Sequence, residues 1–235
     1  MKKSIFFAMA LMISSLAFTS CEDDSTDGVT FITYYPELTL EGDATMYVDK
    51  GSTYTEPGYT ATLNGEDVTD QVVVSGTVDP STSGIYTITY TITNEDGFSS
   101  SATRTIIVLD PNDEVEGIYD TDENSYRLYS GNQVVYGGNY EILVIGEGGG
   151  YYYVDDLLGG WYRDRAGYGD NYAMTGYIIV NDDYSIDLYS SYVSGWGDSA
   201  EFMSDGKFDP ETGTLSWMIE YTTYPMDFYV TMYKR

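Results

Sequence analysis

The segment "GGGYYYVDDLLGGWYRDRAGYGDNYAMTG", residues 148–176, sets seven aromatic side chains among glycines and carboxylates. Aromatic rings offer flat apolar faces that cover the C–H side of a sugar, and carboxylates or amides beside them bond its hydroxyls. "SGWGDS" repeats the combination at Trp196 and Asp198. The candidate ligand-binding set is therefore Trp161, Tyr162, Tyr168, Tyr172 and Trp196, with Asp164, Asp170, Asn171 and Asp198 as polar groups. Glycines at 159, 160, 167, 169, 195 and 197 suggest that these aromatics lie on loops, whereas Trp217 sits in an alternating apolar run and reads as core. The competing reading is core packing throughout, because tyrosine favours strands and a tyrosine-rich β-domain must bury many of them.

Other chemistry is narrower. The chain has no histidine and one cysteine, which removes Ser-His and Cys-His nucleophile pairs, the usual zinc ligand sets and any intrachain disulfide. Calcium has oxygen-rich candidates in "DTDENS" (120–125), "DRAGYGDN" (164–171) and "NDD" (181–183), but none follows the twelve-residue loop with its glycine and terminal glutamate. No metal or other cofactor is assigned. A glycosidase needs two carboxyls at a set separation. With 38 acidic residues any pair can be nominated, so no catalytic residue is assigned and the chain is read as a non-enzyme. A formal net charge of -28 repels phosphate backbones and excludes nucleic acid as a partner. Such acidity otherwise describes a soluble surface.

"MKKSIFFAMALMISSLAFTSC" reads as an export signal over 1–20: two lysines, an apolar run too short to span a bilayer comfortably, then small residues before Cys21. This resembles a lipobox, which implies acylation at Cys21 and a membrane anchor of two or three chains. Phe18 departs from the usual leucine. "EDDSTDG" follows as an acidic tether within 21–28 and resembles the export signal of surface-exposed Bacteroidetes lipoproteins. The expected location is the outer membrane, facing the exterior.

The elements that must position the aromatics are strands. In "GIYTITYTITNEDG", Tyr86, Ile88, Tyr90 and Ile92 alternate with threonines, and Asn64-Gly65 and "DPSTSG" mark turns. Strands at this spacing predict a β-sandwich over 29–110. "GSTYTEPGYTAT", "GEDVT", "VVVSGTVDPSTSGIYTITYTITNEDG" and "RTIIV" resemble the bacterial Ig-like domain of insecticidal crystal proteins and bacterial surface proteins. That resemblance implies a spacer, with "EPGY" (56–59) turning the chain and placing Tyr59 in the core.

"DPNDEVEG" reads as a short exposed linker across 111–117. From 118 to 235 the composition changes, taking 19 of 26 tyrosines and all three tryptophans. Alternation continues at Tyr140, Ile142 and Val144, at Leu215, Trp217, Ile219 and Tyr221, and at Phe228, Val230 and Met232. This predicts a second antiparallel domain of six to eight strands, sandwich or small barrel, so the fold class is all-β. "GGWY", "GYGDNYAMTGYI", "GWGDS" and "DPETGTLSW" resemble the C-terminal region of two-domain Bacteroidetes lipoproteins encoded among polysaccharide-utilisation genes. The resemblance implies polysaccharide or oligosaccharide as ligand and outer-membrane glycan importer subunits as partners. The rivals are an importer subunit with no sugar contact and a carboxylate-dependent glycan hydrolase.

Overall fold

A computed structural model describes residues 32–200, 202–221 and 225–235. Cys21 and the segment expected to be its export signal lie outside them.

The N-terminal part is a two-sheet sandwich. Strands β1 (Glu37–Leu40), β3 (Tyr59–Leu63) and β4 (Glu66–Asp67) form one sheet, and β2 (Thr45–Asp49), β7 (Ser99–Leu109), β6 (Gly84–Thr93) and β5 (Val73–Ser75) the other. Period-two alternation dictates this packing. Ile88 and Tyr90 point inward from β6 and meet Ile106 and Val108 of β7 under Leu38, Leu40 and Tyr59, while Ile92 packs in a neighbouring cluster with Ala61 and Val68. Asn64-Gly65 closes the expected two-residue hairpin, with Leu63 opposite Glu66. "EPGY" does more than turn the chain. Its Glu56 faces the buried Arg104 guanidinium at 3.1 Å, and Arg104 also donates to the carbonyls of Asp43, Glu41 and Gly58.

The C-terminal part is one ten-stranded antiparallel sheet, against the six to eight strands expected. Its strands are β8 (Gly117–Thr121), β9 (Tyr126–Tyr129), β10 (Asn132–Val135), β11 (Glu141–Gly148), β12 (Tyr151–Val154), β13 (Met174–Val180), β14 (Ile186–Val193), β15 (Phe202–Asp209), β16 (Thr214–Tyr221) and β17 (Met226–Lys234). The order β14-β13-β12-β11-β8-β17-β16-β15 curls into a half-barrel, and its two end strands approach each other at the Ser185–Lys207 bridge. Only glycine fits at 206: a Cβ there would stand 2.3 Å from the Ile186 carbonyl oxygen. Strand β17 is the hub. One edge pairs β16, and the other is shared by β8 near Met232 and by β9 near Phe228, so the β9–β10 hairpin leaves the ring at one end. Ile142, Val144, Ile178, Phe208, Leu215, Trp217, Ile219, Phe228, Val230 and Met232 fill the concave side.

The expected exposed linker is exposed at 111, 112 and 114 but packed at its end. Val115, Glu116 and Gly117 are buried. Ile107 of the sandwich forms one apolar cluster with Leu143 and Ile145 of the curled sheet. Glu116 accepts from the Ser83 hydroxyl and the Asp110 N–H, both at 3.1 Å. Acidic composition suggested solvent here, but the carboxylate serves as an internal hydrogen-bond acceptor.

Candidate functional site

Between β12 and β13 the chain folds inward and covers one end of the half-barrel. Asp156 anchors this excursion. Its carboxylate is fully buried and accepts from the N–H groups of Leu158 (3.0 Å), Gly160 (3.1 Å) and Met174 (3.2 Å), tying both ends of the loop together. Burial pushes the carboxyl up to about 7, against the pull of the Arg163 charge and of those N–H donors. Leu157 and Leu158 enter the core, and their carbonyls are taken by Trp217 Nε1 (2.8 Å) and the Tyr136 hydroxyl (2.6 Å).

Gly159 and Gly160 then take left-handed backbone (φ 58° and 82°), and a π-helical turn runs over Trp161–Arg165. A Cβ on Gly160 would lie 2.6 Å from Tyr140 Cβ, so the reversal requires glycine. It drives Trp161 into the interior, where 3% of it is exposed and its ring packs edge-on against Tyr136 (4.9 Å) and Phe228 (5.9 Å). The guanidinium groups of Arg165 (4.2 Å) and Arg127 (4.7 Å) lie over the indole. Trp161 is thus not part of an open platform. Its flanking glycines mark a chain reversal that buries the ring.

The other candidates gather beside it. Trp196, on the turn after β14, is 46% exposed and stands edge-on to Tyr162 at 4.6 Å. Tyr172 approaches Trp196 at 5.0 Å, and Tyr168, 56% exposed, stacks near-parallel to Tyr162 at 6.1 Å. Two distant loops are therefore brought together, held by the Gly195 N–H donating to the Asn171 carbonyl at 2.6 Å. Tyr162, Trp196 and Asp198 line a cleft of about 740 Å³, and Tyr168 and Tyr172 stand at its lip. The remaining wall comes from residues that sequence reasoning missed: Arg127 and Tyr129 of β9, Tyr221 at the end of β16 and Met226 at the start of β17. Nothing in their spacing links positions 127, 196 and 221; β17, paired with β9 and β16, brings 127 and 221 together, and contact with Tyr162 adds Trp196.

Burial raises the Tyr162 hydroxyl against the lowering pull of Arg127, and burial, then the Asp198 charge, raises Tyr221. Both hydroxyls stay protonated near neutrality and serve as donors. Asp164 is bound by Arg163 at 2.9 Å, and Asp170 and Asn171 are exposed on the short turn before β13. The oxygen-rich segments have internal uses too, with Asp122 accepting from the Asn124 N–H and Asp183 from the Ser185 N–H. Among the described residues no three carboxylates gather around a metal-sized space.

The fold and site define a class: a two-domain all-β protein, Ig-like sandwich first, with an aromatic cleft on a curled C-terminal sheet. Residues 38–108 match the family model of the bacterial surface protein Ig-like domain, and residues 109–234 match that of a "-like, C-terminal domain". The solved structure of the lipoprotein BT2262 from Bacteroides thetaiotaomicron is similar at 42% identity and a TM-score of 0.71, covering 85% of this chain and 100% of that one. The chain belongs to the family of that lipoprotein. Family and Ig-like match together point to the bacterial cell surface. Two structures from Clostridium perfringens ZmpB resemble it faintly. One holds the M60 catalytic domain with CBM51-1 and CBM51-2 (19% identity, TM-score 0.29, 53% of this chain and 15% of that one). The other holds CBM51-2 in complex with GlcNAc and INT domains (15% identity, TM-score 0.27, 84% and 43%). No curated protein matches the sequence.

Proposed function

We propose that this chain is a non-catalytic glycan-binding lipoprotein of the outer membrane, anchored through Cys21 and facing the exterior. The sandwich, over 29–110, acts as spacer, and the sheet domain, over 118–235, binds sugar as an accessory to a glycan importer. The observation that carries the reading is the cleft itself. Exposed Trp196 stands against Tyr162, Tyr168 and Tyr172 at the mouth of a concavity that also presents Asp198, Tyr221 and Arg127 to hydroxyls. One sugar face covering roughly 60–100 Å² at about 25 cal/mol per Å² contributes ~1.5–2.5 kcal/mol before association costs. Single-site binding is therefore weak and gains from many copies on one cell.

Affinity electrophoresis and calorimetry over a polysaccharide panel test it. Retention by at least one glycan, weakened about tenfold in Trp196→Ala as a stacking ring is lost, is expected. No binding across the panel, or full binding by the variant, overturns it. The anchor is checked separately by metabolic lipid labelling, which Cys21→Ala should abolish.

A second reading is favoured by the outer face of β12–β14, where Tyr151 packs edge-on to exposed Tyr189 (5.2 Å) and Tyr153 to Tyr177 (5.5 Å). A row of exposed tyrosines suits a protein interface. Co-purification of importer subunits with the wild type, lost in Tyr177→Ser/Tyr189→Ser while glycan retention is absent throughout, would replace the glycan reading with this one.

A further inference from the structure

We propose that the cleft selects a carboxylated sugar, with Arg127 pairing the ligand's carboxylate; this deepens the glycan-binding reading and rests on it. The chain carries 38 acidic residues against 10 basic ones, so basic side chains have partners in excess. Lys50, Arg104, Arg163 and Arg235 each face a carboxylate within 3.3 Å. Lys234 is held by the carbonyls of Asp113 and Glu114, and Arg165 by those of Val135 and Tyr136. Lys207 also forms no ion pair among the described residues, but it is exposed to water away from the cleft. Arg127 differs: its guanidinium lines the cleft, it forms no ion pair among the described residues, and its Nε is buried without an acceptor.

The position of Arg127 is fixed on both sides of its strand. It sits opposite Phe228 on β17 and Val134 on β10, and its guanidinium lies over Trp161 at 4.7 Å and Tyr129 at 5.5 Å. Rings that cover the face of a guanidinium leave its in-plane N–H edge, which here also approaches the Tyr162 hydroxyl, to face a planar, two-oxygen acceptor. Arg165, over the same indole at 4.2 Å, adds a second positive charge. Tyr221 presents a hydroxyl that is likewise buried without a partner. Donors thus outnumber acceptors at this end of the cleft, and Asp198 is left to accept from sugar hydroxyls. A neutral sugar would take water from the guanidinium without supplying a counter-charge, which is costly. A sugar carboxylate compensates that loss, whether it belongs to a uronic acid or to a sialic-type acid.

The test is calorimetry on the full chain with oligogalacturonate, with oligosialic acid, and with the carboxyl-reduced neutral counterpart of each. Salt near 0.15 M damps the long-range repulsion between an acidic protein and an acidic glycan. The expected result is binding of one acidic series, falling tenfold or more on carboxyl reduction of the same oligosaccharide; which series binds identifies the acid. Arg127→Gln should reproduce that loss and Arg127→Lys recover part of it, with unchanged near-UV circular dichroism. The reduction arm needs no variant and stands even if Arg127→Gln misfolds. Equal binding of acidic and reduced oligosaccharides, or acidic binding untouched by Arg127→Gln, overturns the carboxylate assignment and leaves the glycan reading intact. Binding only to neutral glycans of the wider panel does the same. Absence of binding to every glycan removes both.

Discussion

Asp156 concentrates more structural consequence than any other side chain near the cleft, because three backbone N–H groups converge on one buried carboxylate. Removing it in Asp156→Ala strands those donors, at a cost of about 1–3 kcal/mol each when buried without an acceptor. The loop should then detach, and a clear fall in Tm is expected. The charge itself is a liability. Burial lifts the folded pKa to about 7, above the roughly 3.9 of an unfolded aspartate. The folded state therefore holds an extra proton between about pH 4 and pH 7. Stability from that proton is fully present below the unfolded pKa and is lost as pH rises through 7, on the order of 2–4 kcal/mol. Asp156→Asn cannot titrate. The stability advantage of wild type over Asp156→Asn, measured by urea unfolding, should be larger at pH 5 than at pH 8. An advantage that is equal or larger at pH 8 would mean that the three N–H donors hold the carboxylate ionised throughout.

At the scale of elements, the curled sheet depends on two end strands that were given no strong signal to meet. Phe208 N–H donates to the Tyr184 carbonyl at 2.9 Å, and Gly206 lies against Ile186. Gly206→Val should force β14 and β15 apart, costing about 1–3 kcal/mol as overpacking does. Hydrogen exchange at the Phe208 amide should speed up before exchange at the β6–β7 ladder changes; unaltered protection at Phe208 would show that the ring closes without this contact. The same residues explain what could be read in advance. Ile88, Tyr90 and Ile92, or Leu215, Trp217 and Ile219, declare strands because side chains alternate across a sheet and the core takes every second one. Sheet closure rests instead on contacts between residues distant in the chain, and no local period encodes them. Tyr162 and Trp196 were legible as a pair only in composition, and their 4.6 Å contact needed the fold. Trp161 misled because a glycine pair serves an exposed loop and a buried reversal equally well. Arg127, inside "YRLY", reads as an ordinary strand residue until β17 places it beside positions 162, 196 and 221.

For the whole molecule, the joint between the sandwich and the sheet decides whether the spacer transmits position or merely tethers. Ile107, Leu143 and Ile145 share an apolar cluster across it, and Tyr47 donates to Glu141 at 2.8 Å. Glu116 lies at its centre, almost wholly buried, accepting from the Ser83 hydroxyl and the Asp110 N–H of the sandwich, with Gly146 of the sheet against its carboxylate. Burial raises its carboxyl above the usual glutamate range, against the opposing pull of those hydrogen bonds. An amide of the same shape keeps an acceptor oxygen and carries no charge to desolvate, so it should serve almost as well. In Glu116→Gln the side-chain oxygen keeps the Asp110 N–H while the Ser83 hydroxyl turns to accept from the new amide. Glu116→Ala leaves the Asp110 N–H without its acceptor and opens a void against Gly146, costing about 1–3 kcal/mol. Such a loss falls on the joint and not on either core. Small-angle scattering should therefore give an unchanged profile for Glu116→Gln and a broader interdomain distribution for Glu116→Ala, with new protease cleavage between residues 110 and 117. Indistinguishable profiles for the alanine variant and wild type would mean that the apolar cluster alone sets the angle, and that the double variant Leu143→Ser/Ile145→Ser, not Glu116→Ala, is the change that frees the two domains.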